Sequence, residues 1–542
     1  MKPVNNELGN VPSKTSQFLT KWREAAYRDR LLHTIWLFLS FISMGFIAGQ
    51  RGPSFLDLQL ITETDTEQAS FFFTAAAIGG LLGALVVGAL YDKFNKIRLI
   101  FLTNIGMGLC VGVIPQCKQY YLMLTSWFFT GFCMRGLEAG GTADVVRVWK
   151  SESRPYMFIV HLGFSIGALI SPLITEPFLV PKDSLVPIVR PTKHPYYLCQ
   201  LQFETHNNSK YELTYNKSTF DPSLCVGFNQ TDANTEVWDI KLQYAFVISS
   251  VLAVVTSIPF LVKSCKKIKS KEEHNLVPDE VWPVPPVHYV FSILLVMFMY
   301  ICNTGIEDAF SAFLMTFVVE QLDWTKSQGA LVSSTFWGAL ITMRVLVIFV
   351  ADLLSPAKLI LIAMSFLVTS LVGLLVCAQY FVHTGIWVFV CVAGGAISIL
   401  FPTGISLTDQ ELVPVNGKVS SFILVAGAIG LLCNPVVLGF LIQEFSALYF
   451  CYLLLAEALF SIVLILMILL YGRTIVSKLR RRTVYEYSVS PRSSINEKMM
   501  DTTEPEGVPE GYETSSVREK MMDVTEPEVV PGGYKTEEIV LV

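Results

Sequence analysis

The chain has 542 residues, of which 52% are hydrophobic and only 16% are charged, and its formal net charge is −5. A mean hydropathy of +0.51 excludes a soluble globular protein of this size and indicates a polytopic membrane protein in a lipid bilayer. The small acidic excess gives no indication of nucleic-acid binding.

Twelve apolar runs, each about as long as the 20 residues that cross a bilayer, predict an all-α integral membrane protein with two six-helix halves. The predicted spans cover residues 31–51, 70–91, 98–116, 120–147, 154–179, 242–263, 287–318, 327–351, 357–380, 384–407, 418–443 and 447–471. The chain thus divides into a cytoplasmic N-terminal segment (1–30), an N-terminal half (31–263), a cytoplasmic linker (264–286), a C-terminal half (287–471) and a disordered cytoplasmic tail (472–542).

The distribution of Lys and Arg predicts the orientation of the chain. Basic residues precede the first span and follow the second, fourth, sixth and twelfth spans. All of these segments lie on one side of the membrane, which the positive-inside rule assigns to the cytoplasm. We therefore expect both termini in the cytoplasm and the protein in the plasma membrane.

A pair of opposite charges recurs at equivalent turns of the two halves. Asp92 and Arg98 lie between spans two and three, and Asp352 and Lys358 repeat the six-residue spacing between spans eight and nine. The repetition indicates an internal duplication. We predict that these residues, together with Arg344 near the cytoplasmic end of span eight, form a cytoplasmic gate.

The fourth span contains charged side chains at a depth where such groups are rare. An ionised side chain at the bilayer centre costs about 2.5 to 3.5 kcal/mol on insertion scales. Arg135 and Glu138 are three residues apart, so they share one helix face, and Asp144 follows. One interpretation is a structural ion pair between helices. The other is a substrate or ion path in which Glu138 couples a cation to the substrate.

Polar and aromatic side chains in other spans are further candidates for substrate binding. His161 in span five lies one helix along from Glu138, and Trp337 in span eight offers an aromatic face for a sugar ring. Gln50 near the outer end of span one and Asn434 in span eleven supply amide groups. For each of them, helix packing is the alternative interpretation.

Span seven is longer than a membrane requires. A straight helix over residues 287–318 is about 48 Å long, whereas the hydrocarbon core needs about 30 Å. The run 303–308 predicts an interruption of the kind that exposes backbone groups to ligands in transporters. We therefore expect Asn303 and Glu307 at the substrate, with Glu307 as a second ion-coupling residue. Alternatively, the helix ends near Asn303.

The loop of residues 181–240, between spans five and six, is predicted to be extracellular. It contains three glycosylation sequons, at Asn207, Asn216 and Asn229. Cys199 and Cys225 lie in the same loop, where an oxidising environment permits a disulfide between them.

The tail holds a two-copy repeat, at residues 497–512 and 519–534, with 13 of 16 positions identical. The terminal residues, Val540 to Val542, suit a PDZ-type scaffold that captures a C-terminal carboxylate.

Four motifs carry a resemblance to a known family. They are RGLEAGGTADVVRVW in span four, HLGFSIGALISPL in span five, GIEDAFSAF in span seven and STFWGALITMR in span eight. With the repeated turn, they resemble the major facilitator superfamily, and within it the group of sodium-dependent glucose transporter 1 and major facilitator superfamily domain-containing protein 4. The resemblance implies two pseudo-symmetric halves, a substrate pocket between them and a sugar as substrate.

We therefore expect a secondary transporter that moves a hexose or a similar small polar solute by alternating access, with a sodium ion as co-substrate. The alternatives are a uniporter, a proton-coupled carrier of another solute such as an organic anion, and a non-transporting sugar sensor or receptor. The sequence shows no nucleotide-binding loop, nucleophile with a base or metal-ligand cluster. We accordingly expect no enzymatic activity, no metal and no further cofactor.

Overall fold

The computed structural model describes residues 24–91, 93–181, 241–265, 285–350, 353–415 and 417–479. Twelve long helices run through these residues, one at each predicted span, which confirms the all-α architecture. In chain order they are α1 (Ala25–Thr62), α2 (Thr66–Tyr91), α3 (Lys96–Val113), α4 (Tyr120–Trp149), α5 (Ser153–Thr175), α6 (Leu242–Cys265), α7 (Pro286–Gln321), α8 (Lys326–Val350), α9 (Pro356–Gln379), α10 (His383–Leu407), α11 (Gly417–Glu444) and α12 (Tyr449–Tyr471).

Most of these helices are long and apolar enough to cross a membrane. Within the described residues, eleven helices meet that criterion, and the chain is a multi-pass membrane protein. The exception among the twelve is α4, which contains Arg135, Glu138 and Asp144. Its charged residues must therefore face protein or water rather than lipid.

The predicted interruption of span seven is wrong. Helix α7 is continuous from Pro286 to Gln321, so it neither breaks at residues 303–308 nor ends near Asn303. Its backbone groups at Asn303 and Glu307 are engaged within the helix, and only their side chains are available to a ligand. At 1.5 Å per residue its 36 residues extend about 54 Å, so the helix exceeds the hydrocarbon core at one end or both.

The two halves pack in the same way. In the N-terminal half α2 packs on α4, α1 on α5 and α3 on α6. The equivalent pairs in the C-terminal half, α8 on α10, α7 on α11 and α9 on α12, repeat this pattern. The structure thus has the pseudo-symmetry that the duplicated turn predicts.

Glycines allow very close contact between α2 and α4. A Cβ atom added at Gly79 or Gly83 would collide with the carbonyl oxygen of Phe128 or Phe132 on α4. Such approach gains van der Waals contact that lipid cannot supply, and it fixes the two helices relative to one another.

The halves meet mainly through three pairs of helices, α1 with α7, α2 with α11 and α5 with α8. Most polar and aromatic contacts across this boundary involve the predicted extracellular portions of these helices, as for Thr66 with Gln443 and Phe55 with Phe313. Helix α4 has its main contacts with α1, α2, α3 and α5 of its own half, and α10 has its main contacts with α7, α8 and α9 of its own half. The polar and aromatic contacts across the boundary are thus concentrated on the predicted extracellular side.

Candidate functional site

Ionisable residues from four helices meet midway along the boundary between the halves. We call Arg135, Glu138, His161, Glu307 and Arg344 the central cluster. Arg135 and Glu138 belong to α4, His161 to α5, Glu307 to α7 and Arg344 to α8. At 1.5 Å per residue, each lies about 20 to 27 Å from the predicted extracellular end of its helix, so all five are at similar depth. The cluster therefore belongs to both halves.

An ion pair forms the N-terminal side of the cluster. The Arg135 guanidinium donates to the Glu138 carboxylate at 2.6 Å, three residues along the same helix. The two side chains are 38% and 29% exposed, although they lie at mid-helix in the centre of the molecule. A charged side chain that faces lipid at this depth carries a large free-energy cost. We therefore infer that the exposed parts of Arg135 and Glu138 face the cleft between the halves.

His161 extends the cluster from α5. Its ring packs edge-on against Phe41 of α1, with the ring centroids 5.3 Å apart. The charges of Glu138, Arg344 and Arg135 all act on this imidazole. His161 thus lies between the acidic residue of α4 and the arginine of α8.

Glu307 and Arg344 form the C-terminal side of the cluster and attract one another across it. Within the described part of the chain, the Glu307 side chain makes no hydrogen bond or ion pair. Arg344 makes one long hydrogen bond, from Nη1 to the Ser165 hydroxyl at 3.5 Å. Two opposite charges are therefore close enough to interact but are not in contact.

The predicted extracellular side of the cluster is closed by two ion pairs and three aromatic rings, which we call the outer closure. Arg51 of α1 donates to Asp308 of α7 at 2.8 Å. Six residues further along α1, buried Asp57 binds the ammonium group of Lys326 on α8 and accepts from the Val180 backbone at 2.8 Å. Between the pairs, rings from α1, α2 and α7 pack together with centroids 5.0 to 5.6 Å apart: Phe55, Phe73 and Phe313.

Three of the predicted substrate-binding residues make hydrogen bonds within their own half of the molecule. Gln50 is buried and accepts from Ser249 of α6 at 2.6 Å. Asn303 accepts from Ser461 at 2.8 Å, and the Asn434 amide donates to Glu457 at 3.1 Å. Each of these bonds joins two helices of the same half.

Trp337 is 5% exposed and packs at the boundary between α5 and α8. Its ring lies edge-on to Phe164 and to Phe336, with centroids 6.1 and 5.6 Å away. In this structure Trp337 is therefore engaged in aromatic packing between the two halves.

The structure describes three of the five residues of the predicted cytoplasmic gate. Asp92 and Asp352 lie outside the described residues. Arg98 and Lys358 are exposed in the first turns of α3 and α9, where the duplicated turn predicts them. Arg344, by contrast, lies within the central cluster.

The extracellular-loop predictions all fall outside the described residues, so they stay predictions. They concern Asn207, Asn216, Asn229, Cys199 and Cys225. The same holds for the C-terminal repeat and the PDZ-type terminus.

Asp144 forms a second buried polar group at the predicted cytoplasmic end of α4. Its carboxylate binds the His33 imidazole of α1 and accepts from the Tyr91 hydroxyl of α2 and from Arg147, both at 2.8 Å. Asp144 is fully buried. It therefore holds three helices of the N-terminal half together, away from the central cluster.

We expect Asp144→Asn to lower stability by about 2 to 4 kcal/mol, because it leaves the Arg147 and His33 partners without their buried counter-charge. The lower part of the usual range applies, since Arg147 is 31% exposed. The midpoint of thermal unfolding in detergent should fall clearly. Glu411→Gln is the matched control, because its partner Arg473 is 59% exposed. Equal midpoints for the two variants would contradict this role of Asp144.

Sequence reasoning missed the outer closure. The first predicted span ends at residue 51, whereas α1 continues through Pro53 to Thr62. Arg51 is the last residue of the predicted span and Asp57 lies beyond it, whereas the structure has both on one continuous helix. A proline within a continuing apolar stretch was the available signal for a longer helix. Nothing in the sequence indicates that Lys326 and Asp308 are their partners.

Residues 34–179 match the family model of the Major Facilitator Superfamily. The chain is 24% identical over 402 residues to sodium-dependent glucose transporter 1 of Homo sapiens, covering 74% of this chain and 72% of that protein. It is 22% identical over 460 residues to human major facilitator superfamily domain-containing protein 4A, with 77% and 87% covered.

Solved structures show the same fold. The nucleoside transporter NupG aligns with a TM-score of 0.56 and 11% identity, covering 81% of this chain and 98% of that one. A bacterial homolog of the human lysosomal transporter Spinster, in an inward-facing and unoccupied conformation, aligns with a TM-score of 0.55 and 11% identity, covering 83% and 98%. The chain is therefore similar to the Major Facilitator Superfamily over residues 34–179, and its twelve long helices share the fold of these transporter structures.

Proposed function

We propose that the chain is a secondary transporter that moves a hexose or a similar small polar solute across the membrane by alternating access. One observation carries the proposal. The Arg135 and Glu138 side chains of the central cluster are 38% and 29% exposed, whereas the charged groups of the outer closure are only 0% to 11% exposed. We infer that the cluster faces a cleft that is open on the predicted cytoplasmic side and closed on the other. A site that is reachable from one side at a time is the requirement of alternating access.

The sugar and the coupled ion are supported by the relatives. Five curated relatives, which the chain covers to 68–94% of their length, are named sodium-dependent glucose transporter 1 or 1A. Polar side chains of both charges suit a solute with many hydroxyl groups. Glu138 and Glu307 are the carboxylates of the cluster that a sodium ion or proton would meet, and we assign ion coupling to them.

The orientation of the molecule follows from its basic segments. If both termini are cytoplasmic, the cleft opens to the cytoplasm, and the structure is the inward-facing state of a plasma-membrane carrier. The outer closure then separates the central cluster from the extracellular solution.

Counterflow in liposomes tests this proposal. The purified full chain would be reconstituted, loaded with unlabelled D-glucose and diluted into labelled D-glucose, with sodium replaced by choline in a parallel sample. We expect transient accumulation of label that is absent from protein-free liposomes and is larger with sodium than with choline. Saturable binding with no flux would overturn the transporter in favour of a sensor. Uptake of an organic anion but no sugar would overturn the substrate class alone.

A further inference from the structure

Three arginines and three carboxylates face one another around the middle of the boundary between the halves, and they are not equally paired. Arg51 binds Asp308 at 2.8 Å, and Arg135 binds Glu138 at 2.6 Å. The remaining two, Glu307 and Arg344, are not in contact. These six charges sum to zero, but one positive and one negative group remain separated.

Glu307 and Arg344 are both half-buried, so a ligand between the halves can reach them. A charged group deep in a protein needs a hydrogen-bonding partner, because water around it is limited and the surroundings screen it weakly. Arg344 has only a bond of 3.5 Å to Ser165, and Glu307 has none among the described residues. Both groups therefore gain from a ligand that supplies partners to each.

The charge balance restricts the chemistry of that ligand. An anion alone would satisfy Arg344 but repel Glu307, and a cation alone, such as the coupled ion, would leave Arg344 without a hydrogen-bond acceptor. A neutral solute with neighbouring hydroxyl groups satisfies both, because a hydroxyl donates to a carboxylate and accepts from a guanidinium. Hydrogen bonds to charged partners are about twice as strong as neutral ones, which favours recognition at this place.

We propose that Glu307 and Arg344 hold the substrate between them, with one hydroxyl group of a polyol donating to Glu307 and another accepting from Arg344. This inference rests on the proposed transport function. It gives Arg344 a role in substrate binding. The position of Arg344 near the end of span eight also predicts a role in the cytoplasmic gate. Substrate would then link α7 to α8, the helix whose outer end carries Lys326.

A residue-by-hydroxyl cycle tests the proposal. Equilibrium binding of D-glucose and of its 2-, 3-, 4- and 6-deoxy analogues would be measured on purified wild-type protein, Glu307→Gln and Arg344→Gln. We expect each substitution to weaken glucose binding at least tenfold. For one deoxy analogue, Glu307→Gln should bind as tightly as the wild type, because the hydroxyl group that contacts Glu307 is missing. For a different deoxy analogue, Arg344→Gln should bind as tightly as the wild type. Arg473→Gln, an exposed arginine at the end of α12, is the control and should bind like wild type.

Two results would overturn the proposal. One is wild-type affinity in either variant. The other is an equal loss for every analogue, which would mean that the residue acts through structure and touches no hydroxyl group. Arg344→Lys distinguishes misfolding from a lost contact, because it keeps the charge and should bind glucose between the wild type and Arg344→Gln.

The test separates this proposal from the sugar assignment. If the wild type neither binds nor transports glucose, the proposal that glucose is the substrate is wrong. The positions of Glu307 and Arg344 are then tested without a sugar, with the variants Glu307→Cys and Arg344→Cys. Charged, impermeant thiol reagents should then modify both cysteines from the open side of the cleft in membrane vesicles, above the labelling of wild-type protein. Absence of that labelling would overturn the cleft-facing pair as well.

Discussion

Lys326→Met is expected to shift the transporter toward a state that is open on the predicted extracellular side. Asp57 and Lys326 are 0% and 4% exposed, so the substitution leaves a buried carboxylate without its counter-charge. Removing one partner of a buried pair costs about 3 to 5 kcal/mol. The pair joins α1 to α8 only while the outer closure is formed, so the cost falls on the closed state. A difference of about 3 kcal/mol changes the equilibrium on the order of a hundredfold.

Accessibility of a cysteine in the outer closure measures this shift. Ser311 of α7 is 8% exposed and packs beside Gly52 of α1. In a Ser311→Cys background, an impermeant maleimide added from outside should label the Lys326→Met protein much faster than the parent. Lys263→Met is the matched control, because its pair with Asp29 is 3.8 Å long, solvent-exposed and within one half.

A double substitution distinguishes gating from general damage. Asp57→Asn with Lys326→Met removes both charges, so no uncompensated charge remains in the closed state. We expect its labelling rate to return most of the way to that of the parent. Unchanged labelling in the single variant, together with a lower unfolding temperature, would show that the pair only supports folding.

Glu138→Gln is expected to separate substrate exchange from the cation gradient. The amide keeps the shape of the side chain but removes the charge that Arg135 and any coupled cation share. In liposomes the variant should still exchange labelled glucose for unlabelled glucose, while uptake driven by a sodium or proton gradient falls at least tenfold. The reason is reciprocity, since a cation that no longer binds near the substrate cannot change its affinity.

Glu457→Gln is the matched control for this experiment. Glu457 is also a carboxylate within a membrane-spanning helix, but it binds Asn434 between α11 and α12 and lies outside the central cluster. Its substitution should leave the gradient dependence intact. Two results would contradict a coupling role of Glu138. One is that uptake by Glu138→Gln depends on the cation gradient as strongly as uptake by the wild type, and the other is that wild-type uptake does not depend on the gradient.

Much of the fold could be predicted because its signals are local. Each apolar run corresponds to a helix, and the charges of α4 predict that one face of this helix is turned away from lipid. The continuous helix α7 could not be predicted, since Asn303 and Gly305 favour a break locally but are held in the helix by packing against α11 and α12. Tertiary contacts of this kind override local propensity.

The sequence predicts candidate residues of the site but not which of them lie close together in the structure. The sequence identifies Arg135 and Glu138 as a pair because they are neighbours on one helix. It contains no comparable signal for Arg51 with Asp308, which are 257 positions apart, or for Arg344 beside Glu307. These pairings depend on how the two halves pack against one another. The residue pattern of a single helix contains no information about that packing.

Both ion pairs of the outer closure have one member on α1, since Arg51 reaches α7 and Asp57 reaches α8. A tilt of this helix away from the C-terminal half must therefore separate the two pairs together, and four charged groups become hydrated in the same event. The empty carrier should then reset in a single slow, strongly temperature-dependent step. Exchange of one substrate molecule for another on the same side avoids that step, so it should run faster than net uptake.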